Sequence, residues 1–284
     1  MKLGVTGASG QLGRLVVQHL LKTCKPEDLV AIVRDPAKAA DLITAGVDVR
    51  AADYEDRASL DAALAGVDKL LLVSSNEVGK RFPQHKNVID AAKAAGVKQV
   101  VYTSAPKATT STLVLAPEHK ATEEYLAASG LDYTVLRNNW YTENYAMSIQ
   151  SAAKSGELVA AAGSGKVASA ERNDYAEAAA KVLTGEGYAG KVYELSGDTA
   201  WGYDDLAAAI AEAAGCACAY KPVTPDALKA AMIGAGLDEG TAGFVAALDA
   251  GIANGDLAEA TEDMKKIIGR SSAPLKDTVK KLVG

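Results

Sequence analysis

The sequence predicts an α/β protein built around a parallel β-sheet, and three features of its 284 residues predict it. Short apolar runs alternate with helical patterns through the first half, the rhythm of βαβ units. The runs are apolar throughout, as in Leu70-Leu71-Leu72-Val73, which suits strands buried on both faces. Gly46, Gly66, Gly96 and Gly130 each fall between a helical pattern and the next strand, where a left-handed helix C-cap belongs.

In chain order, the predicted strands are Lys2–Thr6, Leu29–Arg34, Val47–Ala51, Lys69–Ser74, Gln99–Thr103 and Tyr133–Arg137. Between them the periodicity predicts helices at Gln11–Leu21, Pro36–Ala45, Ala58–Leu64, Gln84–Ala95 and Glu118–Ala128. After Arg137 the rhythm changes. A polar-aromatic stretch, Asn138 to Tyr145, precedes a short helix and two short apolar runs around Leu158 and Val167. Helix is then expected at Asp174–Leu183, strand at Lys191–Leu195 and helix at Tyr203–Ala214. From Pro225 onward the pattern is helical: Pro225–Ala235, Thr241–Ala253, Glu262–Ile268 and Leu275–Val283. The expected organisation is a sheet domain over 1–137, to which segments around 157–200 return, and a substrate-covering lobe over 138–284.

Bulk properties narrow the partners. A net charge of −6 and a pI of about 5.2 argue against nucleic acid or an anionic membrane, which select for excess Lys and Arg. Cys24, Cys216 and Cys218 cannot all pair within one chain and have no accompanying ligand pattern, so no metal site is expected. No apolar run approaches the ~18 residues of a membrane helix, and no leader precedes the first strand. The expectation is a cytoplasmic protein, monomer or homodimer.

The strongest motif opens the chain. The first strand runs into Gly7-Ala8-Ser9-Gly10-Gln11-Leu12-Gly13 and then an apolar helix. Gly7 permits the tight turn, Gly10 lets backbone amides reach a pyrophosphate, and Gly13 allows close helix–sheet packing. The helix N-terminus adds unpaired N–H groups and a favourable dipole. The fold is therefore expected to be a Rossmann-type, doubly wound parallel sheet with a smaller, mostly helical C-terminal lobe, binding a dinucleotide. An NAD site usually has an acidic residue at the end of the second strand. Here Arg34 stands there, with Lys38 four residues on, a pattern suited to the 2′-phosphate of NADP(H). Asp35 precedes Pro36 and is expected to cap the helix instead. Asp53 and Tyr54 follow the third strand, where an acidic group can meet adenine. Ser74, Ser75 and Asn76 follow the fourth, beside the expected nicotinamide ribose.

These segments, with Tyr102-Thr-Ser104, Tyr133–Asn138, Lys191–Leu195 and Trp140-Tyr-Thr-Glu-Asn-Tyr145, resemble the NmrA-like branch of the atypical short-chain reductases. Within it they most resemble the NADPH:quinone oxidoreductase 2 subgroup and its triphenylmethane dye reductase relatives. The resemblance implies NADPH held by Gly7–Leu12, Arg34 and Ser74–Asn76, a substrate near Asn138–Glu143, and activity without flavin. Related plant reductases have a functional lysine at the helix after the fifth strand; Lys120 sits near that place, though a solvated helix lysine fits equally.

None of the eleven tyrosines has a lysine four residues later, so the proton-exchanging pair of alcohol dehydrogenases is missing. A quinone needs less: hydrogen-bond donors to its developing oxyanion suffice. Asn139, Tyr141 and Asn144 are the candidate donors. Trp140 is a candidate wall for a flat ring, and Asn138, Thr142 and Glu143 are candidate substrate contacts. His119 is a possible proton donor without an identified partner; His85 and His19 fall in predicted helices and attract no functional expectation. The expected function is hydride transfer from NADPH to a quinone or related small acceptor. A non-catalytic NADP(H)-binding sensor and a reductase of azo or triphenylmethane dyes are the alternatives.

Overall fold

The computed structural model describes all 284 residues. Its centre is a seven-stranded sheet of β1 (Leu3–Thr6), β2 (Leu29–Val33), β3 (Asp48–Ala51), β4 (Lys69–Leu72), β5 (Gln99–Ser104), β6 (Asp132–Asn138) and, later in the chain, β9 (Lys191–Leu195). The order across the sheet is β3-β2-β1-β4-β5-β6-β9. β1 pairs in parallel with both β2 and β4, Val5 facing Ala31 on one side and Leu71 on the other. Parallel pairing continues outward to β3 and through β5 to β6. This is the doubly wound Rossmann arrangement, and the chain reverses direction of travel between β1 and β4.

The helices following these strands are α1 (Gln11–Leu20), α2 (Ala40–Thr44), α3 (Arg57–Ala63), α4 (Arg81–Ala94) and α5 (Ala116–Ala128). α1 shows why the sequence commits to helix here: Leu12, Val16, Val17 and Leu20 make one buried stripe. β1, β2 and β5 are buried at every residue, on both faces, with the polar Thr6, Gln99, Thr103 and Ser104 buried alongside the apolar residues. The edge strand β3 is only half-buried. The four glycines expected as C-caps all adopt positive φ. The predicted Pro36–Ala45 helix is a 3₁₀ turn, Pro36–Ala39, leading into the short α2. Asp35 accepts from the Ala37 N–H at 3.0 Å, so it is the expected cap.

The chain divides into two compact units. The first comprises Met1–Thr109, Pro117–Asn138 and Arg172–Glu194. It holds the sheet, and α7 (Arg172–Thr184) packs against α1 within it. One layer of its core brings together Ile32, Leu70, Leu72, Val88, Val100, Tyr102 and Val135.

The second unit comprises Thr110–Ala116, Asn139–Glu171 and Leu195–Gly284. It contains α6 (Ala146–Ser155), α8 (Tyr203–Ala214), α9 (Pro225–Gly234), α10 (Glu239–Ala253), α11 (Asp263–Ile268) and α12 (Leu275–Val283). Two small sheets accompany them. β8 (Lys166–Val167) pairs antiparallel with β10 (Trp201–Gly202), and β7 (Glu157–Ala160) pairs in parallel with β11 (Ala219–Pro222). The strand Ala219–Pro222 has only four residues and little apolar signal, and the sequence pattern does not reveal it. The unit's core gathers Tyr145, Ile149, Trp201, Tyr203, Leu206, Leu248 and Ile252. Asp249 is buried there; its carboxylate accepts from the Ala161 N–H at 2.7 Å and from the Tyr203 hydroxyl at 3.4 Å. Burial pushes its carboxyl above the usual range. No helix of the chain is long and apolar enough to cross a membrane.

Candidate active site

Ligands of doubly wound sheets bind beyond the strand C-termini where the winding reverses. In the first unit that point lies between β1 and β4, and the segments leaving both strands carry the expected residues. After β1, Gly7 turns at φ +59° and the Gly10 N–H bonds the Gly7 carbonyl at 2.9 Å. A side chain at Gly13 would lie 2.4 Å from that carbonyl oxygen, so only glycine lets α1 start this close to the turn. Ala8 is buried, its N–H bonded to the Ile32 carbonyl at 3.2 Å. Gly10 and Gln11 are exposed and Ser9 is half-buried. No side chain caps α1 and its first turn has no acidic residue. Its leading N–H groups are thus available to an anion such as a pyrophosphate. The residues fit a dinucleotide.

At the end of β2, Arg34 and Lys38 are both exposed. Arg34 pairs with Glu77 at 3.3 Å. Arg14, in the first turns of α1, bonds the Lys38 carbonyl and pairs with Asp41, bringing a third basic residue to the same turn. Sequence reasoning overlooked Arg14, although its place directly after Gly13 was visible. Asp53 is exposed and accepts from the Glu55 N–H at 2.9 Å, the turn role open to any loop aspartate. Tyr54, expected on the cofactor side, is engaged within the fold. Its hydroxyl donates to the Val73 carbonyl at 2.8 Å and pairs with the Thr6 hydroxyl, so it ties β1 to the segment after β4. Burial pushes its phenol well above the usual range.

After β4, the Ser74–Asn76 loop is held from beneath. The Ser74 N–H donates to Thr103 Oγ1 at 2.9 Å, and the Glu77 N–H to Ser75 Oγ at 3.1 Å. The Ser75 N–H donates to His85 Nε2 at 2.9 Å, while its carbonyl accepts from Arg81 Nε at 2.6 Å. His85 Nδ1 lies 3.0 Å from Thr122 Oγ1, and Tyr102 Oη lies 2.7 Å from His119 Nδ1. His119 thus has the partner the sequence could not supply. Burial is the chief reason that both histidines are pulled down to about 3. Nearby, Arg137 grips Glu123 through two bonds, 3.0 and 2.7 Å, and Glu194 at 2.8 Å, while the Ser104 hydroxyl donates to Glu123 at 2.6 Å. Lys120 is exposed and faces Glu124 at 3.9 Å, the position of a solvated helix lysine.

Asn138 ends β6 and is buried. In the second unit the stretch that follows passes through a 3₁₀ turn, Thr142–Tyr145, which sorts its side chains. Asn139 is buried, its amide donating to the Leu257 carbonyl at 3.3 Å and accepting from the Trp140 N–H at 2.6 Å. Thr142 is buried with its hydroxyl 2.8 Å from Ser169 Oγ, which the Trp201 indole also bonds at 2.9 Å. Trp140 packs, half-buried, against the unit's core. Asn139, Thr142 and Trp140, expected near the acceptor, are thus also held in the frame of their own segment. Tyr141 and Glu143 are half-buried and Asn144 is exposed.

Residues 7–186 match the NAD(P)H-binding family. The chain belongs to that NmrA-like, NAD(P)H-binding family. It is 49% identical to quinone oxidoreductase 2 of Escherichia coli K12, over 99% of this chain and 98% of that protein. A solved structure of the NADPH-dependent E. coli quinone oxidoreductase, complexed with NADPH, superposes with a TM-score of 0.97 at 48% identity, covering 99% of this chain and 100% of the other. The Citrobacter sp. triphenylmethane reductase complexed with NADP(H) shares 41% identity over 99% of this chain and 100% of its own. The NAD(P)H azoreductase of Xenophilus azovorans is 32% identical over 94% and 92% of the two chains.

Proposed function

We propose that this protein is an NADPH-dependent oxidoreductase that passes hydride to quinones, with azo and triphenylmethane dyes as further acceptors. The observation that carries the reading is the whole-length, 49% identity to a quinone oxidoreductase, joined to a glycine turn and an uncapped α1 fit for a pyrophosphate. NADPH supplies the hydride when bound. The Gly7–Gly13 backbone holds the pyrophosphate, Arg34 and Lys38 the 2′-phosphate, and Ser74–Asn76 the nicotinamide ribose. Asp53 is retained for the adenine side. Tyr141 and Asn144 are assigned to the acceptor side, with Glu143 beside them, because they belong to the polar-aromatic stretch after β6 and offer hydrogen-bond donors. A quinone oxygen that gains negative charge is stabilised by such donors, and no tyrosine–lysine pair is needed. Three unpaired cysteines and a reduced cofactor suit a cytoplasmic setting.

Anaerobic mixing of NADPH and benzoquinone with purified protein, without added flavin, tests the reading. Absorbance at the NADPH band falls if it is correct, and Tyr141→Phe and Asn144→Ala lower kcat more than NADPH affinity. Folded protein that binds NADPH but oxidises none of it with any quinone or dye points to the sensor.

A further inference from the structure

We propose that Arg81 and His85 are positioning residues for the nicotinamide half of the cofactor, acting by holding the Ser75 backbone from both sides. The proposal rests on the reading of Ser74–Asn76 as the nicotinamide-side loop. Arg81 and His85 stand four residues apart, on one face of α4. His85 Nε2 takes the Ser75 N–H and Arg81 Nε gives to the Ser75 carbonyl, so both polar groups of one peptide-bonded residue end on the same helix.

The anchoring is itself anchored. Glu118, in the first turn of α5, accepts from the N–H groups of Gly79 and Arg81, both at 2.9 Å, and so serves α4 as a cap supplied by another helix. The proton arrangement is self-consistent. His85 Nε2 must be bare to accept from Ser75, so Nδ1 carries the ring proton and gives it to Thr122 Oγ1, whose own proton goes to the Glu118 carbonyl at 2.8 Å. The neighbouring Tyr102 ring packs edge-on at 5.3 Å between centroids. A charged ring would turn a second N–H toward the Ser75 amide, and burial keeps the ring neutral at ordinary pH.

A purely structural network would have no need of this composition. Arg81 is 9% exposed, and its Nη1 is buried without a hydrogen-bond partner, as is Gln84 Oε1 three residues on. A buried guanidinium with one nitrogen left unbonded is costly even with the Glu118 carboxylate nearby, and an apolar side chain of similar volume would fill the space at lower cost. Its one side-chain hydrogen bond goes to the Ser75 loop. That is the signature of groups kept for geometry.

Titrating NADPH and 2′,5′-ADP separates a local from a general effect, because the second ligand keeps the adenosine and 2′-phosphate but lacks the nicotinamide half. In His85→Leu the Ser75 N–H loses its buried acceptor, and NADPH affinity is expected to fall roughly 10-fold with 2′,5′-ADP affinity unchanged. His85→Gln, which offers an amide oxygen in place of Nε2, restores most of it. Arg81→Met keeps the stem, removes Nε–H and gives the same split, so it carries the test should His85→Leu fail to fold. KM for NADPH rises in both variants while KM for benzoquinone holds. Equal losses for the two ligands, or unchanged NADPH affinity in both folded variants, overturn the proposal. Failure of the underlying reading is distinct. It shows in the wild-type protein, as NADPH binding no tighter than 2′,5′-ADP, and it removes the proposal as well.

Discussion

Arg34 is already paired before any cofactor arrives, with the Glu77 carboxylate at 3.3 Å. On the proposed assignment, a 2′-phosphate competes with Glu77 for the guanidinium. Arg34→Ala is expected to weaken NADPH by about 1.5–3 kcal/mol and NADH little, since only NADPH has that phosphate. Glu77→Gln moves the other way, tightening NADPH by at most about 1 kcal/mol because an exposed ion pair is weak. Titrating both nucleotides against both variants decides; equal losses for NADH and NADPH in Arg34→Ala contradict the assignment. The glycine turn separates two functions in a similar manner. A Cβ at Gly10 meets only the Gly7 carbonyl, at 3.1 Å, whereas one at Gly13 meets three backbone atoms within 3.0 Å. Gly10→Val is expected to lose NADPH while keeping its melting temperature close to wild type, and Gly13→Val to lose both. The turn was legible in the sequence because its requirement is a backbone one, met by glycine spacing alone. Asn139 and Thr142 were not, because their partners, Leu257 and Ser169, come from segments far along the chain.

At the scale of elements, Arg137 joins three: it lies on β6, Glu123 on α5 and Glu194 on β9. The carboxylates and the half-buried guanidinium hold one another, and the paired carboxylates raise the arginine further above its ordinary range. Arg137→Met leaves Glu123 and Glu194 without their shared cation, and a loss of about 1.5–3 kcal/mol in urea unfolding is expected, because the buried Glu123 loses its charge-assisted partner. A change within 0.5 kcal/mol, about the scatter for an ordinary surface site, rejects the joint as a stability element. Helix and strand existence were legible because periodicity survives without tertiary context. β11 and the 3₁₀ start of the Pro36 segment were not, since a four-residue strand and a single turn are decided by the neighbours they meet.

For the molecule as a whole, acid is the expected weakness. Folded His85 and His119 sit at about 3, against about 6.5 in an unfolded chain, so the unfolded state takes up protons that the folded state refuses. Stability is complete above pH 6.5 and falls as pH drops toward 3, each histidine contributing up to about 1.4 kcal/mol per pH unit. Asp249, raised by burial, has the opposite sign, since the folded state holds its proton more tightly and gains as pH falls. Urea midpoints at pH 7 and pH 5 check the balance: a lower midpoint at pH 5 is expected, with a smaller drop in His119→Phe. An equal midpoint at both values contradicts the neutral, buried histidines. The packing of α7 on α1 has a further consequence in time. A ribosome that has made the glycine turn and α1 must still produce the whole Asn139–Glu171 excursion before α7 emerges, carrying the Asn173 amide that meets His19 at 2.9 Å. The glycine turn is first to be translated and among the last of its unit to be braced, so a nascent chain halted before Arg172 should leave α1 mobile and NADPH unbound.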